Sequence, residues 1–176
     1  MKFTATAALA LIVACSSSSA LAGPPAAANP LLHAHNSERR MLGAAPLMWD
    51  ARLAAASDAY ALHLARSGRW GHSPAHQRVG QGENLWMGTR GAFTPQAMVG
   101  DWLSERRMFR AGVFPNVSRS GSWHDVGHYT QIVWPGTTRV GCSVRSSAHW
   151  DYLVCRYATP GNTMGQRVGP TRVASR

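Results

Sequence analysis

The spacing of the buried-type residues changes along the chain from a helical period to a strand period, and this order limits the fold. After Asp50, small and apolar residues recur at helical spacing at Leu53, Ser57, Tyr60, Ala61 and Leu64. Near the C-terminus Val140, Cys142 and Val144 alternate with small or polar neighbours, and a second β-rich run covers 150–157. Helices that precede strands, without a repeated unit or a glycine-rich phosphate loop, predict an α+β layered domain and exclude a doubly wound sheet.

Capping residues predict where the helices begin and end. Asn29 before Pro30 begins a helix that continues to Leu42, and Asp50 begins a second one that ends at Gly68. A third helix is predicted from Thr94-Pro95 to Phe109, with Met98, Trp102 and Glu105 on the same face. An acid on an apolar helix face is out of place, so Glu105 becomes a candidate functional residue.

The first 22 residues have the features of an export signal. A basic start at Lys2 precedes an apolar stretch, and Ala20-Leu21-Ala22 has the A-x-A form of a signal-peptidase site. Cleavage there leaves a linker at 23–29 and a free secreted, extracellular or periplasmic protein. The apolar residues before Cys15 and the serines after it also fit a lipobox, so a lipid anchor on Cys15 is the alternative, and only that form would be tethered to a membrane.

In either form one pair of cysteines remains, because Cys15 is removed or acylated. An even number of cysteines in an oxidising compartment predicts a disulfide. Cys142 and Cys155 both lie on the β-rich runs, which a turn around 146–149 separates. We therefore expect a disulfide between the two C-terminal strands.

The net charge of +10 is large for 176 residues, and Lys2 is the only lysine. Loss of the signal leaves 17 arginines against eight acids, or +9. Such a balance favours anionic partners in general. The arginines are nevertheless scattered, and no nucleic-acid-binding motif accompanies them, so we expect no nucleic-acid partner.

Four ionisable residues stand out by their surroundings, and we call them the tetrad: His72, Glu83, Glu105 and His128. Neutral imidazole is a zinc ligand, and carboxylates ligate a metal, orient a bound water or hold the imidazoles in position. None of the pairs has the i, i+4 spacing of a metalloprotease helix. Spacing alone therefore leaves a structural role as the alternative for each residue.

The run GHYTQIVW at 127–134, followed by Val140-Gly141-Cys142, resembles the signature of the CAP superfamily, which comprises cysteine-rich secretory proteins, antigen 5 and plant pathogenesis-related class one proteins. Other blocks of that family occur in the same order, among them His35-Asn36, Pro46-Leu47, His72-Ser73, Gly82-Glu83-Asn84-Leu85, Trp102 with Glu105, and Val154-Cys155-Arg156-Tyr157. The resemblance covers residues 30–168 and leaves a tail at 169–176.

The resemblance implies a three-layer α-β-α sandwich around a small antiparallel sheet. It also implies a central cleft lined by two histidines and two glutamates, which in this chain are the tetrad. His72 and His128 would then bind Zn²⁺ or another divalent cation, while Glu83 and Glu105 would act through water or as partners of the imidazoles.

The chain departs from the family in two respects. It has one cysteine pair where plant and animal relatives have several, and it has no cysteine-rich extension. Thr159 also stands where a proline is common before Pro160-Gly161-Asn162. Together with the lipobox, these departures indicate a bacterial member.

Two functions are favoured by this sequence, with a largely structural or adhesive role as the remaining alternative. The first is a monomeric binding protein that holds a sterol, a fatty acid or another lipid in a groove lined by Trp70, Trp86 and Trp123, in host interaction or defence. The second is a metal-dependent hydrolase in which Glu83 or Glu105 acts as general base on a bound water. A serine-type variant would need the Ser73 hydroxyl to reach an imidazole, and by default a loop serine is a capping or turn residue.

Overall fold

The computed structural model describes residues 29–169. The export signal, Cys15, linker residues 23–28 and the end of the tail lie outside the described residues, so the expectations for them stay predictions. The elements are α1 Pro30–Met41, β1 Met48–Trp49, α2 Ala51–Ser67, β2 Gly82–Thr89, α3 Pro95–Ser104, β3 Gly112–Val113, α4 Gly127–Ile132, β4 Arg139–Ser146, β5 Trp150–Ala158 and β6 Arg167–Val168. Three short 3₁₀ turns lie between them, at Ala75–Gln77, Glu105–Arg107 and Trp123–Val126.

The first two helices begin at the predicted residues; α2 ends before Gly68 as predicted, and α1 ends at Met41, one residue before the predicted Leu42. The Asn29 side chain accepts hydrogen bonds from the first backbone N–H groups of α1, and Asp50 does the same for α2. Gly68 ends α2 in the left-handed conformation, with φ of 65°. These caps satisfy backbone groups that would otherwise lack partners at the helix ends.

The third helix is shorter than predicted, because α3 ends at Ser104 and does not continue to Phe109. Glu105 begins a tighter 3₁₀ turn, in which the Met108 N–H donates to the Glu105 carbonyl, and Phe109 joins an antiparallel bridge with Ser118. The helical spacing of Phe109 was therefore coincidental. The turn brings the Glu105 carboxylate to the start of α4, where it accepts the Tyr129 N–H.

The main sheet has the strand order β1-β4-β5-β2. β4 pairs antiparallel with β5, and β5 pairs antiparallel with β2, but the two-residue strand β1 runs parallel to β4. The sheet is therefore mixed and not purely antiparallel, because β1 and β4 are far apart in sequence and are not restricted to hairpin pairing. A separate antiparallel pair joins β3 to β6.

Helices cover both faces of the main sheet, which confirms the α-β-α sandwich. On one face Cys155 and Tyr157 of β5 belong to the larger core, which includes residues of α1, α3 and α4. On the other face Tyr152 and Val154 join Tyr60, Ala61 and Leu64 of α2 in a smaller core. Gly141 permits this second contact, since a Cβ there would lie 2.1 Å from the Ala54 nitrogen of α2.

The predicted disulfide is confirmed. Cys142 and Cys155 are directly opposite in the β4–β5 register and form an S–S bond that faces the larger core. Within residues 29–169, no helix combines the length and apolar character that a membrane crossing requires.

Candidate functional site

A cleft of about 440 Å³ lies beside β2, the edge strand of the main sheet. Its wall includes Gly82, Glu83 and Asn84 of that strand, together with His72 and His128. Three further side chains that line it are Arg78, Trp123 and His124. The two tetrad histidines therefore reach the same cleft from segments far apart in sequence, while Glu105 lies behind His128.

His72 is held by Glu83. The His72 Nδ1 lies 2.8 Å from Glu83 Oε1, and the Ser73 N–H donates to the same oxygen at 2.9 Å. The Ser73 hydroxyl donates to the other oxygen, Oε2, at 2.8 Å. The loop itself is fixed to α2, since the Tyr60 hydroxyl donates to the Gly71 carbonyl at 2.7 Å.

Glu83 is buried as an ion. Its side chain is 1% exposed, and its register partner on β5, Arg156, places Nε 2.9 Å from Oε2. The Arg156 Nε–H is not aligned as a hydrogen bond, so the contact is an ion pair. Burial acts to raise the pKa of Glu83, but the hydrogen bonds from His72 and Ser73 and the Arg156 charge outweigh it and lower that pKa.

His128 is held by Glu105. The His128 Nδ1 lies 2.6 Å from Glu105 Oε1, and the Tyr129 N–H donates to Oε2 at 3.0 Å. The indole of Trp102 is nearly parallel to the imidazole, at 14°, with ring centroids 5.8 Å apart. Asn84 of the edge strand donates to the His128 carbonyl at 3.1 Å.

A buried histidine supports the His128 side of the cleft from within the core. His35 is fully buried, with Nδ1 at 2.7 Å from the Leu31 carbonyl and Nε2 at 2.8 Å from the Tyr157 hydroxyl. Asn84 donates to the same hydroxyl at 3.2 Å, which links this group to the edge strand. Burial and, to a smaller extent, the Arg39 charge lower the pKa of His35 to about 4, although the Leu31 hydrogen bond acts to raise it.

In both histidine–carboxylate pairs the carboxylate contacts Nδ1 of the imidazole. A carboxylate accepts a hydrogen bond, so each Nδ1 is the donor, and in a neutral imidazole Nε2 is then the atom with a lone pair. The side chains of His72 and His128 are 53% and 35% exposed, which leaves both imidazoles accessible. The glutamates use their oxygens to orient the imidazoles and to hold nearby backbone N–H groups.

A different set of residues brings three potential ligand atoms within 4.8 Å of one another, namely His35, Cys142 and Cys155. The sulfurs are joined in the disulfide, and both nitrogens of His35 have hydrogen-bond partners. Thiolate is the metal-binding form of cysteine, so this buried cluster is not a metal site.

Other candidate residues have structural contacts. Ser73 donates its hydroxyl to Glu83 and accepts from Arg156, so its oxygen is engaged away from any imidazole. The three tryptophans do not line one groove: Trp86 is in the larger core, Trp70 lies beside Tyr152, and only Trp123 lines the cleft. The prediction of a tryptophan-lined groove was therefore wrong.

Gln131 of the signature has a structural role. Its Oε1 accepts the Gly161 N–H at 2.8 Å, and its Nε2 donates to the Thr137 hydroxyl at 3.3 Å. A Cβ on Gly82 would lie 2.0 Å from Gln131 Oε1, so a glycine is needed where α4 approaches the edge strand.

Three residues of this region belong to no predicted site: Arg156, which supports Glu83 from outside the cleft lining, and the cleft residues Arg78 and His124. Arg156 interrupts the apolar run of β5, and a charged residue within a strand buried on both faces was the available signal. Arg78 and His124 lie in loops without a pattern, and only the tertiary fold brings them to the cleft.

The sequence profile of the cysteine-rich secretory protein family, called CAP, matches residues 32–157. The chain belongs to the CAP family. The basic form of pathogenesis-related protein 1 from Nicotiana tabacum is 38% identical over 141 residues, which cover 77% of this chain and 72% of the relative. The PR-1 type protein from Sambucus nigra is 35% identical over 135 residues, or 76% of this chain and 77% of the relative.

Solved CAP structures agree with the fold. NaASP2, whose crystal structure was determined with Zn²⁺, has a TM-score of 0.67 and 25% identity, covering 81% of this chain and 84% of that one. BmVAL-1 has a TM-score of 0.65 at 20% identity and covers 79% of each chain, which shows the fold alone. This CAP domain is thus similar to pathogenesis-related proteins.

Proposed function

We propose that this protein is an exported CAP-domain binding protein whose cleft holds a divalent cation, most simply Zn²⁺, through His72 and His128. The observation that carries the proposal is the pair of imidazoles in one cleft, each with Nδ1 on a carboxylate and Nε2 left to ligate. The presence of Zn²⁺ in the structure of NaASP2 supports it. A cation bound there supplies Lewis acidity and open coordination positions for an oxygen donor of a ligand.

Export and defence belong to the same proposal. A disulfide in a domain of this kind is typical of oxidising compartments, and the relatives are named as pathogenesis-related proteins. We expect a monomer without a nucleic-acid partner. Lipid anchoring through Cys15 and a bacterial source stay predictions.

A lipid or sterol ligand remains part of the proposal, but we place it in a different part of the molecule from the predicted tryptophan-lined groove. An apolar depression of about 310 Å³ lies between the end of α1 and the end of α4, lined by Leu42, Ala44, Ala45, Val133 and Pro135. It supports binding of an apolar chain better than the dispersed tryptophans do. A thermal-shift series with fatty acids and sterols checks this, because ligand at 100 times its Kd adds about 2.7 kcal/mol of stability.

The geometry favours binding over hydrolysis. A general base needs a carboxylate oxygen within reach of a water. Both oxygens of Glu83 are occupied and its pKa is lowered, and Glu105 is occupied by His128 and the Tyr129 N–H. Each glutamate is thus suited to orient a histidine and not to abstract a proton.

Calorimetric titration with zinc tests the metal site. His72→Ala and His128→Ala should each abolish measurable binding, because two imidazoles are the proposed protein ligands. His149→Ala is the matched control: it lies in the β4–β5 turn at the opposite end of the sheet, about 23 Å along β2 from Gly82. Equal zinc affinity in the His72/His128 double variant and the native chain would place the site elsewhere.

A further inference from the structure

Within the described residues, the acidic side chains of this protein all have partners, whereas most of the arginines have no acid beside them. All eight acids lie within residues 29–169, and each has a hydrogen bond or an ion pair to protein. Among the arginines of that range, an acid lies within 4.0 Å only of Arg106, Arg139, Arg145 and Arg156. The surface therefore carries a positive charge that no internal acid neutralises, and it attracts anions.

One unmatched arginine lines the cleft itself. The Arg78 Nε donates to the Ser73 carbonyl at 3.0 Å. Because Ser73 follows His72 in the chain, this bond fixes the guanidinium on the His72 side of the cleft. Across the described residues, the terminal nitrogens of Arg78 have no hydrogen-bond partner and no acid within 4.0 Å. The guanidinium is half-buried and held in place, yet most of its donors are free.

The neighbouring carboxylate does not neutralise Arg78. Glu83 is paired with Arg156 at 2.9 Å and is 1% exposed, so its charge is already matched and is shielded from the cleft. Arg78 is therefore an unmatched positive charge on the His72 side of the cleft, because Arg156 and Glu83 match each other and Glu105 lies behind His128 on the other side. A divalent cation on His72 and His128 would add to it. A neutral or cationic ligand would leave that charge unmatched.

We propose that the cleft binds a ligand with a phosphate or carboxylate group, and that Arg78 is the residue that holds this anion beside the two histidines. The planar fork of a guanidinium donates two parallel hydrogen bonds to such a group. The inference names the ligand class of the same cleft and therefore rests on the proposed binding function. A free anion and the headgroup of an acidic lipid share this chemistry.

Calorimetric titration of the metal-free protein tests the inference, with inorganic phosphate and dihexanoyl phosphatidic acid as the two probes. Both should bind the native chain, and Arg78→Gln should weaken both by about 10- to 100-fold, the usual scale for charge-assisted hydrogen bonds. Arg66→Gln removes the same charge from the exposed end of α2, outside the cleft lining, and should change both affinities less than twofold. Tighter binding of the lipid identifies a headgroup as the source, and equal binding identifies the free anion.

Arg78→Lys and a melting curve distinguish loss of the anion site from loss of folding. The lysine keeps the charge without the fork, so its affinity should lie between those of the native protein and Arg78→Gln at an unchanged melting temperature. Equal losses in Arg78→Gln and Arg66→Gln, or no binding of either probe, would overturn the inference. Zinc titration of the same samples separates the proposals: zinc binding without anion binding refutes only the role of Arg78, and anion binding without zinc binding refutes only the metal site.

Discussion

The two imidazoles of the cleft are held by different means. His72 lies in a loop and depends on Glu83, which is fixed by Ser73 and by the buried charge of Arg156. His128 lies on α4 and contacts Glu105, which is 19% exposed. It also has the Trp102 ring beside it. One half of the cleft is thus built on a buried ion pair, and the other on stacked rings and hydrogen bonds to a partly exposed carboxylate.

This difference shows that two imidazoles in one cleft can be held in place by unlike interactions. A buried ion pair is costly to break, because removal of one partner leaves the other charge unpaired in a poorly solvated place. The loss of a ring contact, or of a hydrogen bond to a carboxylate that water can still reach, costs less free energy. The two halves should therefore respond differently to equivalent substitutions.

The largest expected effect is on folding. Glu83→Ala should destabilise the protein by about 3–5 kcal/mol, since it leaves Arg156 charged and unpaired. Glu105→Ala should cost about 1–2 kcal/mol, because it mainly removes the acceptor of the Tyr129 N–H. Urea unfolding of both variants measures the difference, and equal losses would show that the ion pair is not the stronger support.

The next effect is a pH dependence of the free energy of unfolding, which comes from His35 behind the His128 side of the cleft. His35 has a pKa of about 4 when folded and an ordinary value near 6.5 when unfolded, so between these values the unfolded state binds more protons. Stability should therefore fall by up to about 3 kcal/mol as the pH drops from 6.5 to 4. The lowered pKa of Glu83 acts in the same direction but at lower pH: its contribution to stability is complete above the ordinary value of 4.5 and is lost as the pH falls below it.

His35→Gln isolates the histidine, because glutamine keeps a hydrogen-bonding group in the core but does not titrate. Urea unfolding at several pH values should give this variant a shallower loss of stability between pH 6.5 and 4 than the native protein. Identical slopes in the two proteins would refute the assignment to His35.

The smallest expected effect is on zinc affinity. Glu83→Gln should weaken zinc binding by about 10- to 100-fold, the usual scale for the partner of a metal-binding histidine. Glu105→Gln should weaken it less, since Trp102 still restricts the His128 ring. Calorimetry on both folded variants gives the ranking, and a larger loss for Glu105→Gln would reverse the comparison.

The sequence predicts the parts of the fold that depend on local chemistry. The caps at Asn29 and Asp50 and the alternation of β4 determine their own elements. It does not predict β2, whose first five residues are all buried, because a strand covered on both faces has no alternation. The six-residue helix α4 is too short for a periodic pattern.

The site shows the same limit. The family resemblance selects the tetrad, whereas the supports of each imidazole depend on pairing between distant segments. Arg156 meets Glu83 only because the register of β5 on β2 places them opposite each other. Arg78 lines the cleft only because of how its loop returns to the sheet edge.

The most direct test of the metal site is a crystal structure of the zinc-loaded protein with anomalous data at the zinc edge. We expect one strong peak in the cleft, bonded to the Nε2 atoms of His72 and His128, with both Nδ1 atoms still on their glutamates. A peak bonded to Glu83 or Glu105 instead, or a cleft without zinc while the metal sits on other histidines, would contradict the account.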